Sequence, residues 1–241
     1  MPDIRTIGVL GYANCSEQDT ITPIEIFRGA AMVLGQQLNI LPTKAPATTL
    51  EVKLVALDKG NVKMQTGTEV VPDGVLDDQQ LFDLFYVPGG VGSGDMTRND
   101  KVLNAIRRHY QSGKMVASNC SGVGVIFRAG ILGKTPVTCV AAIARRLREL
   151  GANVPQPRMM WQGVPEARLW TATGSYGVHG AAAALVAHYF GRDVATTIAM
   201  MFDTLGGLGE AIFKPVGPEF YYHPELEKTF QDFWEDKLLP K

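Results

Sequence analysis

Apolar, β-branched positions along the chain fall into short runs that alternate with longer stretches of helical spacing. IRTIGVL (4–10) is a strand-like run ended by Gly11. PIEIFRGAAMVLG (23–35) then repeats apolar residues at helical intervals, with a proline at its first turn and a closing glycine. QQLNILPTKAPATT (36–49), with two prolines among small polar residues, reads as a surface loop before a second strand, LEVKLVAL (50–57). LFDLFYV (81–87) is a third strand, broken by PGGVGSG, and KVLNAIRRHYQSG (101–113) is an amphipathic helix ending on glycine. KMVASN (114–119) is a strand that arrives directly at Cys120. Helical spacing returns in VGVIFRAGILG (123–133), VAAIARRLRELGA (140–152) and VHGAAAALVAHYFG (178–191), with a strand, ARLWTATG (167–174), before the last of these.

Strands separated by helices, without hairpin dipeptides through the centre, predict parallel pairing by right-handed crossovers: an α/β fold, a doubly wound and mostly parallel sheet sandwiched by helices. Residues 1–191 carry this pattern. Residues 192–241 lose the periodicity and mix glycines, prolines and aromatics; such a tail cannot build its own core, so it is expected to pack on the sandwich or on a second subunit.

Composition narrows the function classes. The chain has 241 residues, 46% hydrophobic and 20% charged, and its 23 basic and 24 acidic residues leave a formal net charge of −1. Neither nucleic acid nor an anionic membrane is an expected partner; a small molecule or a protein surface is. Three cysteines, at 15, 120 and 139, make no CxxC pair and are odd in number, which indicates a reducing compartment, the cytoplasm. The first residues run into a strand without a signal-like segment, and no run of about 18 apolar residues occurs, so neither export nor membrane anchoring is expected.

The chemistry concentrates at SNCSG (118–122). A nucleophile on a sharp strand-to-helix turn needs small neighbours, and the positive end of the following helix would lower its thiol pKa. A buried cysteine acting as a small hydrophobe fits the same letters. Three segments occur in order at predicted strand ends: D19-T-I-T-P23-I-E25 after the first strand, P88-G89-G90-V after the third, and N-C120-S121-G122 with A129-G130 beyond it. On these segments the chain, over about residues 4–191, resembles the DJ-1/PfpI superfamily, most of all its isocyanide hydratases. The resemblance implies a flavodoxin-like fold, a homodimer, Cys120 as elbow nucleophile and Asp19 as its partner acid. It also implies backbone donors at Gly89, Gly90 and Val91, with the Ser121 hydroxyl beside the thiol. Ligand sites of open α/β sheets lie beyond the carboxyl ends of the strands, where these segments fall.

The pattern also departs from its relatives. Peptidases of the family carry a histidine where this chain has Cys139. Of the four histidines, 109, 179, 188 and 223, only His179, at a predicted strand end, is placed to approach the crevice; Glu25 is a second candidate for lining it. A cysteine–histidine dyad is thus weakly founded, and a cysteine–carboxylate pair is favoured. GGVGSG lacks the lysine of a phosphate loop, and no group of ligating residues has metal spacing, so neither cofactor nor metal is expected. The leading expectation is cofactor-independent hydration of an organic isocyanide. Conversion of a 2-oxoaldehyde by the same thiol, and a non-catalytic sensor of small molecules or oxidants, are the alternatives.

Overall fold

Runs of consecutive buried residues become adjacent strands of one sheet. A computed structural model describes residues 4–36, 48–201 and 224–240; the loop read over 36–49 lies mostly outside these, as do His223 and the glycine-rich part of the tail. The strands β1 (Thr6–Gly11), β2 (Glu51–Ala56), β5 (Gly74–Val75), β6 (Leu84–Val87), β7 (Met115–Asn119), β8 (Trp161–Val164) and β9 (Leu169–Ala172) order as β5-β2-β1-β6-β7-β9-β8. All neighbours are parallel except β8, which runs antiparallel to β9 at the edge. A separate two-stranded antiparallel hairpin, β3 (Val62–Lys63) with β4 (Glu69–Val70), stands beside the sheet. These antiparallel pieces depart from the parallel reading. They are too short, or in WQGV too glycine-broken, to show a strand period.

Because both faces of a parallel sheet must be covered, each strand sends alternate side chains into two cores. Ile7, Val9, Leu84, Tyr86, Ala117 and Trp170 pack toward α1 (Glu17–Leu34), α6 (Tyr176–Phe190) and α7 (Arg192–Met201). Leu10, Phe85, Val87 and Val116 pack toward α3 (Asp100–Gln111), α4 (Gly122–Arg128) and α5 (Ala141–Glu149). The four-residue helix α2 (Ser93–Met96) follows the loop after β6. The last described helix, α8 (Pro224–Leu238), lies on α5, where Arg145 pairs with Glu235 and Asp232, and Arg146 with Asp236. Leu238 and Leu239 enter the second core. No helix among the described residues is long and apolar enough to cross a membrane.

The largest departure from the helix assignments is at α1. It begins at Glu17, capped by Ser16, so that Pro23 lies inside the helix rather than at its first turn, and Asp19 belongs to the helix rather than to the loop before it. A proline is an ordinary start signal because its missing N–H costs nothing there. Here it stands seven residues in, where its missing N–H cannot serve the carbonyl four residues back.

Candidate active site

The carboxyl ends of β1, β6, β7 and β9 are consecutive along the sheet, and the segments leaving them converge on one point. β7 delivers Cys120, whose φ of 51° is the left-handed conformation that a nucleophile elbow requires. The turn is held from both sides: the Cys120 N–H donates to the Ala172 carbonyl at 3.0 Å, and its carbonyl accepts from the Val140 N–H at 3.4 Å. Asp19, 1% exposed, comes from the first turn of α1, and its carboxyl lies beside Cys120, close enough for its charge to act on the thiol.

Two glycines make room for this pair. A methyl group at Gly89 would lie 2.5 Å from Cys120 Cβ and 3.0 Å from Asp19 Oδ2; one at Gly174 would lie 3.0 Å from Cys120 Sγ. Gly90, with φ 130°, adopts a conformation that side chains resist, and its N–H donates to Ser121 Oγ at 3.1 Å while its carbonyl accepts from the same hydroxyl at 3.0 Å. Val91 is exposed, and its N–H donates to Gln65 Oε1 at 3.2 Å. The backbone donors singled out in the sequence are therefore each held by a side chain. Gly89 N–H goes to Asn119 Oδ1 at 2.9 Å, Gly90 N–H to Ser121 and Val91 N–H to Gln65. A ligand seeking the Gly90 or Val91 N–H must displace the Ser121 hydroxyl or the Gln65 amide.

Electrostatics contradict the expected activation of the thiol. Burial, then the Asp19 charge, push the Cys120 thiol well above its ordinary range; hydrogen bonds from Ser121 offset only part of this. Burial also raises the Asp19 carboxyl, opposed by hydrogen bonds from the Ser175 N–H, Cys120 and Ser16. The seven-residue α4 does not outweigh a neighbouring carboxylate. Both groups are thus pushed toward their protonated forms. Among the three cysteines Cys120 alone has exposure; Cys15 and Cys139 are fully buried, and burial lifts Cys139 to about 12.

Two further candidate residues lie apart from the Cys120–Asp19 pair. His179 lies in the first turn of α6, exposed, because β9 stops at Ala172 and the chain is already helical at Tyr176; no hydrogen bond joins it to Cys120 or Asp19. Glu25 follows Asp19 by six helical positions, a rotation of roughly 600°, which turns it away from Asp19. It lines a separate surface groove with Ile21, Met32 and Val71.

Two residues not read as site residues do belong here. The Ser175 N–H donates to Asp19 Oδ1 at 3.0 Å, from a backbone strained at φ 46°, ψ −89°. The signal was present in Gly174-Ser175 at the end of a strand, but the donor is main chain and has no letter of its own. Asn119, fully buried, accepts from Gly89 N–H and donates through Nδ2 to the Asp19 carbonyl at 2.9 Å. Beneath them two buried tyrosines, Tyr12 and Tyr86, complete the surroundings; the Tyr12 hydroxyl donates to the Pro88 carbonyl at 2.7 Å.

Residues 5–186 match the sequence pattern of the DJ-1/PfpI family. An isonitrile hydratase of Pseudomonas putida is 28% identical over 154 residues, spanning 64% of this chain and 66% of that protein. The deglycase PfpI of Pyrococcus furiosus is 30% identical over 84 residues, spanning 34% of this chain and 51% of that protein. Each match thus spans less than two thirds of the relative's own length. Among solved structures, a THiJ/PfpI family protein from Pseudomonas syringae superposes with a TM-score of 0.72 at 16% identity, covering 99% of this chain and 90% of the other.

Proposed function

The chain belongs to the DJ-1/PfpI family, and from that premise we propose that it hydrates organic isocyanides to N-formamides. The observation that carries this reading is the partner of the thiol, a buried carboxyl of raised pKa rather than a histidine. The terminal carbon of an isocyanide accepts a nucleophile and becomes carbanion-like as it does so. It therefore needs a thiol and a proton at the same atom. Asp19 takes the thiol proton as Sγ attacks that carbon, forming the C–S bond, and returns the proton to the same carbon, giving an S-linked thioimidate. Water, deprotonated by Asp19, then adds to the thioimidate carbon, and Asp19 passes that proton to nitrogen; the remaining O–H proton goes to sulfur in the next step. Collapse of that adduct breaks the C–S bond, releases the formamide and restores the thiol. A carboxyl of raised pKa suits these successive proton transfers.

Conversion of a 2-oxoaldehyde remains the second reading, because relatives named deglycases also match this chain. A developing alkoxide on a carbonyl substrate calls for a cation or a free donor; the charge that acts on Cys120 is negative. Rapid acid quench with an aryl isocyanide, followed by mass spectrometry, is expected to find the substrate mass added at Cys120 and absent in Cys120→Ala. An unmodified Cys120 during active turnover would contradict the covalent route.

A further inference from the structure

In an α-helix the carbonyl of residue i accepts from the N–H of residue i+4. For Asp19 that donor would be residue 23, which is proline, inside α1. Pro23 has no N–H, and its ring crowds the carbonyl four residues back. The Asp19 carbonyl, buried in the first turn, is thereby denied its helical partner, and a buried carbonyl left unpaired is costly. It is not unpaired: Asn119 Nδ2 donates to it at 2.9 Å, across 100 residues of sequence. The Asn119 side chain uses its other end, Oδ1, to accept the Gly89 N–H at 2.9 Å.

We infer that Pro23 and Asn119 are a matched pair of positioning residues, the proline freeing the Asp19 carbonyl so that the residue preceding the nucleophile can fasten the acid to the elbow. One amide side chain then sets three segments in register: the acid on α1, the glycine loop after β6, and Cys120, its own neighbour in sequence. Neither residue touches the reacting atoms. Their effect reaches the chemistry through where the Asp19 carboxyl lies relative to the thiol. In an unbroken helix the N–H of residue 23 would compete with Asn119 for this carbonyl and weaken its hold on α1.

The inference rests on the Cys120–Asp19 pair, but not on the identity of the substrate, so its test reads the thiol directly. The rate of Cys120 alkylation by iodoacetamide is followed against pH in the native chain, Asn119→Ala, Pro23→Ala and the double variant. Asn119→Ala is expected to let the carboxyl withdraw, lowering the apparent thiol pKa by about one unit, roughly a tenfold gain in thiolate at neutral pH. In the Pro23→Ala background, where the helix again supplies an N–H to the Asp19 carbonyl, the same substitution is expected to shift the apparent pKa by less than half as much. Should Asn119→Ala not fold, Asn119→Ser carries the same comparison. An equal shift in both backgrounds, or no shift in either, overturns the inference. A purely structural role for Asn119 would lower thermal stability and leave the pH profile unmoved. Failure of the pair itself is separately visible, as an Asp19→Asn profile identical to that of the native chain.

Discussion

The proton between Cys120 and Asp19 decides what the residues of the site do. Removing the Asp19 charge by Asp19→Asn takes away the second-largest cause of the raised thiol pKa but leaves burial, the largest. The apparent pKa is therefore expected to fall and still remain above that of a free cysteine, as followed by thiolate ultraviolet absorbance. Turnover of the same variant should drop by about 100-fold or more, since asparagine cannot exchange the proton. An easier thiolate with less turnover separates proton transfer from nucleophile strength. Gly174→Ala tests the packing: its methyl would stand 3.0 Å from Sγ, so iodoacetamide labelling of Cys120 should slow while the fold persists. At this scale the elbow, the acid and the Gly89–Gly90 turn were legible as letters, because each needs a particular side chain or its absence. The Ser175 main-chain donor had no letter, and Asn119 had one but gave no sign that it would reach across 100 residues.

Elements show how the surroundings hold those residues. The centre of the sheet was legible because parallel strands buried on both faces are continuous apolar runs. The start of α1 was not, since Pro23 signals a first turn and only the tertiary partner of the Asp19 carbonyl explains its place inside the helix. On α3, His109 lies buried with its ring stacked against Phe85 at 4.4 Å between centroids; its Nε2 accepts the Phe82 N–H at 3.0 Å and its Nδ1 meets the Ala105 carbonyl. Burial depresses it to about 4 from an ordinary 6.5. The unfolded chain takes up this proton before the folded one does. Its contribution to stability is therefore complete above about pH 6.5 and declines as pH falls toward about 4, by about 1.4 kcal/mol per pH unit. Urea midpoints at about pH 7.5 and about pH 5 should differ less in His109→Phe than in the native chain, whose midpoint falls more steeply. On the C-terminal side, Leu239 is fully buried against Gly124 of α4, the helix that follows the nucleophile. Leu239→Ala is expected to cost about 2–4 kcal/mol in urea denaturation; a loss under about 0.5 kcal/mol would mean that this end contributes little to the core.

For the whole molecule the central claim is chemical, and assembly frames it. Phe230 and Phe233 on α8 are 53% and 58% exposed, and Val71 beside α1 is 79% exposed. Apolar surface left in water favours a second copy as its cover, so a homodimer is the expected mass by light scattering at micromolar concentration; a monomer would contradict this. The claim that the Cys120–Asp19 pair acts on an isocyanide carbon is tested most directly by one parallel assay. Purified protein, without added metal or cofactor, is given an aryl isocyanide and methylglyoxal in separate reactions, with Cys120→Ala as control and products identified by mass. The account predicts formamide from the isocyanide, lost entirely in Cys120→Ala. Turnover of methylglyoxal alone, or of neither, would contradict it.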